Sequence, residues 1–559
     1  MRKDKLLYKL QRIRPPRVHI KYDIELADAT EHKELPFVIG VLSDLSGSAK
    51  YPLLPLTSRK FIDIDLDNFN HVMKGIDPII RFKVKNLISN GDDNLVIELR
   101  LNSMDSFGPN QVINQIKPFK DLIEKLEIKN NVIKGGKPEI DALLSGQLNE
   151  IIHAPEFKKL EASWRGLHYL VTRTETSEMI KIKILNISKK ELLKDFKRTP
   201  ELDQTFFFKQ IYEEIFGTFG SAPFCALIGD YEFGLHPEDI NLLELISQVA
   251  AAAHCPFIAA ASPKLFSLNS FAELGTPRDL DKMFHTVEYV KWKSFRDSEN
   301  SRYIGLSLPR ILLRAPYAPR PTVEPKFQFT ELVNEHDLFL WGNAAYAFGV
   351  CLTNAFAKYH WCAKIRGAEG GGLVEGLPVH TFKNDEGDIA KKCPTEIAIT
   401  DRREKELADL GFIPVVHLKN SEYAVFFSAP SCHKTRRYDS EEATANARLS
   451  SQLQCTMTTS RFAHYLMSLT RDKIGSFGTP NDIEKFLNNW IANYVNLYDD
   501  TSPLLKAQYP LREARIDVFE SSIKPGIFLA KLFIRPHFQL DELSVSLRLI
   551  IELPAIAAY

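Results

Sequence analysis

The sequence predicts a mixed α/β protein of several domains, with long alternating strands close to both chain ends. Three observations carry this. In Ser544 to Glu552, residues Val545, Leu547, Leu549 and Ile551 share one face at a period of two, while Ser544, Ser546, Arg548 and Glu552 make most of the other. Near the opposite end Val18, Ile20, Tyr22, Ile24 and Leu26 alternate with His19, Lys21, Asp23 and Glu25. Between them, apolar runs of strand length alternate with helical patterns. Terminal strands of this kind either pair inside their own domain or reach a neighbour and complete its sheet. Alternation alone leaves both open.

Taken in order, Leu35 to Leu42 is a nearly continuous apolar run closed by Ser43-Asp44-Leu45-Ser46-Gly47, the pattern of a buried central strand and a turn. Lys60 to Ile64 reads as a strand, Asn68 to Met73 as a short helix, and Ile80 to Val84 with Leu95 to Leu101 as two more strands. These are expected to form a small sheet of their own, closed by a helix from Asp105 through Leu126. Lys129 to Pro138 is short, polar and Gly-containing, a linker. Helical spacing follows from Glu139 and again over Glu156 to Leu167. Strands are expected at Lys181 to Leu185, Ala226 to Tyr231 and Pro256 to Ala261, and helices at Ile240 to Ala253 and Gly342 to Tyr359. From Asp439 the pattern changes to two long helices, Ala445 to Leu469 and Asn481 to Tyr498. Two strands then close the chain, the first over Gly526 to Ile534 (Ile527, Phe528, Phe533, Ile534) and stopped by Pro536. The boundaries are 1–128, a junction 129–138, 139–440 and 441–559.

Composition narrows the function classes. A chain of 559 residues exceeds one core, and roughly three or four domains are expected. Lys plus Arg and Asp plus Glu both number 71, so no global field points to nucleic acid or to an anionic membrane. The seven cysteines (225, 255, 351, 362, 393, 432, 455) show no C-x-x-C and are odd in number, which favours a reducing compartment. The basic N-terminus is broken by Lys9, Arg12 and Arg14 and is neither a signal peptide nor an anchor. A cytoplasmic protein without membrane insertion is expected.

No candidate chemistry outweighs its structural reading. Gly370-Gly371-Gly372 lacks the Lys-Ser/Thr of a P-loop and suits a loop needing positive φ. The run Asp401 to Glu406 mixes signs as solvated faces and structural ion pairs do. Cys432-His433 are adjacent, and adjacent residues rarely meet as nucleophile and base. The histidines, among them 153, 168, 254, 285, 380 and 464, lack metal-binding spacing. Tyr289 to Trp292 and Phe339 to Trp341 sit among apolar neighbours and read as core. No cofactor, metal or catalytic residue is therefore expected. The competing class is a large α/β enzyme using the Gly367 to Gly376 loop with Arg402 and Glu404.

Longer motifs say more. Glu34-Leu35-Pro36-Phe37, Asp44-Leu45-Ser46-Gly47, Arg59-Lys60-Phe61 and Asp67-Asn68-Phe69 resemble the small sheath subunit of the bacterial type VI secretion system, the TssB or VipA family, over about residues 14 to 127. From Leu160-Glu161-Ala162-Ser163-Trp164-Arg165-Gly166-Leu167 onward the chain resembles the large subunit, the TssC or VipB family. Its motifs include Gly229-Asp230-Tyr231-Glu232-Phe233, Phe339-Leu340-Trp341-Gly342-Asn343, Asp401 to Glu406, and Arg535-Pro536-His537-Phe538-Gln539-Leu540. The resemblance implies a structural subunit, not an enzyme, polymerising with itself around an Hcp-like inner tube on a baseplate and contracting to propel that tube. It also implies a handshake sheet in which terminal strands interlock between copies. Val18, Ile20, Tyr22, Ile24 and Leu26 would supply one part, and Ile527, Phe533, Val545, Leu547, Leu549 and Ile551 the other. The two subunits, separate chains in the family, are continuous here. The junction lacks most of the large-subunit segment gripped by a ClpV-like AAA+ ATPase, which puts recycling by such an ATPase in doubt.

Overall fold

A strand with no polar face must be covered on both sides. In the computed structural model Phe37–Ser43 (β1), buried at all seven positions, runs between two parallel neighbours inside a nine-stranded sheet. The structure describes residues 34–48, 53–87, 93–117, 119, 137–199, 201–218, 220–276, 279–318, 329–383, 389–419, 421–436, 438–472, 480–496, 502–520, 528–537 and 547–552. The chain divides into Met1–Glu34 and Leu35–Tyr559, and every element below belongs to the second unit.

The other strands are Ile62–Ile64 (β2), Ile79–Lys85 (β3), Asn94–Arg100 (β4), Ile180–Asn186 (β5), Phe224–Phe233 (β6), Phe257–Ala261 (β7), Ile304–Leu308 (β8), Ile311–Arg314 (β9), Leu340–Gly342 (β10), Leu373–Val374 (β11), Thr381–Lys383 (β12), Ile389–Lys391 (β13), Ile413–His417 (β14), Ala424–Phe426 (β15), Leu511–Glu520 (β16), Phe528–Pro536 (β17) and Leu547–Glu552 (β18). The large sheet runs β11-β15-β14-β8-β7-β6-β1-β5-β2. Its centre is parallel and its outer pairs, β2 with β5 and β14 with β15, are antiparallel. Period-two alternation divides β1 between two cores. Phe37, Ile39 and Val41 pack with Trp164, Leu167 and Leu170 of the helix Pro155–Arg173 and with Phe348 of the helix Ala345–Tyr359. Val38 and Leu42 pack with Leu242, Leu243 and Ile246 of the helix Pro237–Ala252.

The small N-terminal sheet expected from the sequence is corrected by this arrangement. β1 and β2 join the large sheet, and β3 with β4 forms a separate antiparallel hairpin. The reason is burial: a seven-residue apolar strand in a small sheet would leave one face in water, which β5, β6 and two helix layers prevent. The hairpin is held from its side by Gln147, whose amide accepts from the Leu87 N–H at 2.6 Å and donates to the Lys85 carbonyl at 2.8 Å. Of the helix expected from Asp105 through Leu126, the described residues show a 3-10 turn at Met104–Phe107 and a helix at Pro109–Gln115 that ends at Ile116, and residues 118 and 120–126 lie outside the described residues. The long helix expected at Ala445 to Leu469 is two, Glu441–Ser450 and Leu453–Asp472, separated where Gln452 bridges Pro430. No helix among the described residues is long and apolar enough to cross a membrane.

Candidate functional site: the terminal sheet

The C-terminal strands form an antiparallel meander, β16-β17-β18. Its core face is Leu511, Ile516, Ala530, Leu532 and Ile534, packed on Ile483, Leu487, Trp490 and Ile491 of the helix Pro480–Ala492 and on Phe462, Leu466 and Leu469. Phe533 alternates out of that core and sits half-buried at the register position facing Arg515 and Arg548. Leu547, Leu549 and Ile551 occupy the positions opposite Ile534, Leu532 and Ala530. Within one chain, then, the last strand pairs with its own predecessor. Val18, Ile20, Tyr22, Ile24 and Leu26, with Ile527 and Val545, lie outside the described residues.

The two edges of this sheet differ. The sequence reading gives no strand at β16: its alternation holds only over Glu513 to Val518 and is lost at Leu511-Arg512, where the register shifts, and at Phe519. Its outer edge is capped by side chains. Asn488 accepts from the Ile516 N–H at 3.0 Å and donates to the Ile516 carbonyl at 2.7 Å, and Glu484 accepts from the Val518 N–H at 3.0 Å. At its start, Leu511 exchanges backbone bonds with Tyr494 and Asn496. An edge so covered cannot template another strand. Among the described residues no strand pairs with the outer edge of β18.

In an open parallel sheet, ligands usually bind beyond the carboxyl ends of the strands. Here those ends are filled by side chains bonded to each other. Ser43 Oγ donates to Asp230 Oδ2 at 2.8 Å, Trp164 Nε1 to the Leu45 carbonyl at 3.1 Å, and the Tyr231 hydroxyl to the Ile187 carbonyl at 2.7 Å. Arg59 bonds Glu191 at 2.6 Å and the Asn186 carbonyl at 2.8 Å. Burial pushes the Asp230 pKa up, against the hydroxyls of Ser163 and Ser43. A raised carboxyl pKa contributes stability at low pH that is lost as pH climbs from the ordinary 3.8 through the folded value. Asp230→Asn, which cannot ionise, is therefore expected to gain stability relative to the parent as pH rises from acid to 7. The gain should vanish in acid, and urea midpoints at two pH values check it.

A buried ion network joins the next layer. Arg314 Nε donates to Glu161 Oε1 at 2.9 Å, and Arg165 Nε to the same oxygen at 2.7 Å. Arg314 also bonds Glu331 through two nitrogens, at 2.5 and 3.1 Å, while His153 Nε2 lies 3.2 Å from Glu331 Oε1. Burial works to raise the Glu331 pKa, but His153, Arg314 and the Tyr317 N–H hold it down at about 2.

The sequence candidates for chemistry are placed as follows. The Gly367 to Gly376 loop serves the sheet edge: Gly367 N–H donates to the Phe426 carbonyl at 2.7 Å, and Phe426 N–H to that of Gly372 at 2.9 Å. Gly371 has φ +91°, and a Cβ there would meet the Lys364 carbonyl oxygen at 2.4 Å, so the glycine answers backbone geometry. Asp401–Asp409 is a helix in which Arg403 bonds Glu406 at 2.6 Å and Glu404 accepts from Ser428. Arg402 lines a groove of about 690 Å³ with Leu274, Ile397, Ile399 and Glu406. Burial pushes the Cys432 thiol up to about 12, and His433 Nδ1 lies 3.0 Å from the Ser298 carbonyl, so the pair does not act as thiolate and base. Tyr289, Trp292, Phe339 and Trp341 are buried, and all seven cysteines are free thiols. Among the described residues no three His, Cys, Asp or Glu converge as a metal site would need.

Known proteins match this chain along its length. Residues 137–433 match the family described as VipB, tail sheath N-terminal domain, and 442–553 the VipB tail sheath gpW/gp25-like domain. Residues 10–160 match VipA of the type VI secretion system. The type VI secretion system sheath protein TssC1 of Pseudomonas aeruginosa is 48% identical over 437 residues, covering 77% of this chain and 88% of its own. Sheath protein TssB1 of the same organism is 39% identical over 115 residues, 21% of this chain and 66% of its own length. The contracted helical sheath of the anti-feeding prophage aligns over 98% of this chain and 97% of its own at TM-score 0.34 and 8% identity.

Proposed function

The chain belongs to the VipB sheath family of the type VI secretion system and carries a VipA segment ahead of it in the same polypeptide, and from this premise we propose how its copies are linked. It is a structural subunit of the contractile sheath, a self-assembling polymer. Copies join by strand addition at the outer edge of β18, which no strand pairs with among the described residues, in a handshake with a terminal strand of a neighbour. The run Val18 to Leu26 is the strand offered. The observation that supports this is the asymmetry of the terminal sheet: Asn488 and Glu484 occupy the β16 edge, so growth is directed to the other side. Ile527, Phe533, Val545, Leu547, Leu549 and Ile551 belong to the receiving half. The segments 1–128 and 139–440 with 441–559 are the small-subunit and large-subunit portions, joined at 129–138. The polymer surrounds an Hcp-like inner tube on a baseplate in the bacterial cytoplasm, and it performs no catalysis.

Negative-stain microscopy of the purified chain tests this reading. Tubes of constant width are expected, and contracted tubes are expected to resist ATP-dependent disassembly by a ClpV-like ATPase. Discrete particles with saturable turnover, abolished by Arg402→Ala, would favour the enzyme instead.

A further inference from the structure

Arg461, on the helix Leu453–Asp472, is 5% exposed. Its guanidinium is charged at any ordinary pH, yet among the described residues it meets no carboxylate. Nη2 donates to the Leu35 carbonyl and, at 3.3 Å, to the Tyr465 hydroxyl. Nη1 donates to the Pro36 carbonyl at 3.1 Å and meets Cys225 Sγ at 3.4 Å. The charge lies 4.8 Å from the Phe356 ring and 5.0 Å from that of Tyr465, and Phe356 stacks on Phe37 at 4.8 Å. The adjoining cavity, lined by Phe37, Cys225, Phe356, Cys362, Ser460 and His464, measures about 10 Å³. That is room for one water at most, and too little for a counter-anion. The two carbonyl dipoles and the ring faces are what compensate the charge.

We propose that Arg461 is the mechanical anchor of the N-terminal segment. It fixes the backbone at Leu35–Pro36, from which residues 1–34 run, to the helix that supports the terminal sheet. Leu35 shares one apolar cluster with Phe462, Leu466, Ile516, Leu532 and Ile534. Force arriving through one strand link can therefore leave through the other without crossing the nine-stranded sheet. The strength of the anchor lies in an asymmetry. Two neutral carbonyls add little net stability when bonded, but pulling them away strands a buried charge, which costs far more.

This inference rests on the strand-link reading, and two measurements keep the two apart. In Arg461→Met, amide exchange at Leu35 and Phe37 is expected to rise by about tenfold or more, as loss of bonds to a charged group implies. Tubes are expected to form but to shear into shorter pieces. Arg461→Lys keeps the charge and reaches fewer partners, so it should fold and show a smaller rise in exchange. Unchanged exchange in the lysine variant overturns the anchor, including the case where the methionine variant fails to fold. Normal tubes from Ile20→Pro with Ile24→Pro would overturn the strand link and leave the exchange result standing.

Discussion

Arg314→Met is expected to cost the protein about 3–5 kcal/mol, the penalty for removing one partner of a buried ion pair. Glu161 and Glu331 are both nearly fully buried, and Arg314 bonds both of them. Methionine fills comparable volume, so the loss is electrostatic: Arg165 alone would face Glu161, and His153 alone would face Glu331. The pH dependence follows from the Glu331 carboxyl, depressed from 4.5 to about 2. A depressed carboxyl contributes stability that is complete above 4.5 and is lost as pH falls through the folded value near 2. The parent should therefore weaken over that window while the variant, its carboxyl held down only by His153 and the Tyr317 N–H, weakens less. Urea midpoints at pH 7 and near pH 3 measure both effects. A midpoint unchanged at pH 7 would show that the network contributes nothing.

The second large effect concerns assembly rather than stability. In an antiparallel pair, successive residues point their N–H and C=O groups alternately at the partner strand and away from it. Leu547 and Leu549 therefore have one orientation, and Arg548 and Ile550 the other. Proline at both positions of the outward set removes two donors from the edge of β18 that no described strand pairs with, while proline in the inward set breaks its ladder with β17. Two double variants, Leu547→Pro with Leu549→Pro and Arg548→Pro with Ile550→Pro, thus separate addition from folding. One pair is expected to give a folded particle that forms no tubes, and the other to destabilise the meander as well. Each ladder bond contributes only about 0.5–1.5 kcal/mol, but under the proposed strand addition every copy repeats the link, so tube yield should fall to background. Tubes at parental yield from both pairs would remove β18 from the contact between copies.

By itself the sequence determined a good deal. The run Leu35 to Leu42 announced β1 because a strand buried on both faces has no polar positions to alternate. β-Branched and aromatic residues stopped by Pro536 locate β17, alternation locates β18, Cys432-His433 and the glycine loop read as structural, and long ordered motifs place the chain among the sheath proteins. Tertiary structure alone decided where those pieces went. That β1 lies between β5 and β6 depends on pairing across more than 130 positions with Ile180–Asn186, which no local pattern encodes. β16 is not legible because its alternation spans only Glu513 to Val518, and its outer edge is satisfied by Asn488 and Glu484, partners that only folding brings to it. Nothing in the local sequence marks Arg314 or Arg461 as buried. Their burial beside Glu161 and Glu331 in one case, and beside two bare carbonyls in the other, follows from helix packing that brings residues 153 to 426 positions apart into hydrogen-bond contact. Electrostatics of that kind is set by the surroundings of a charge, and the surroundings exist only once the chain has folded.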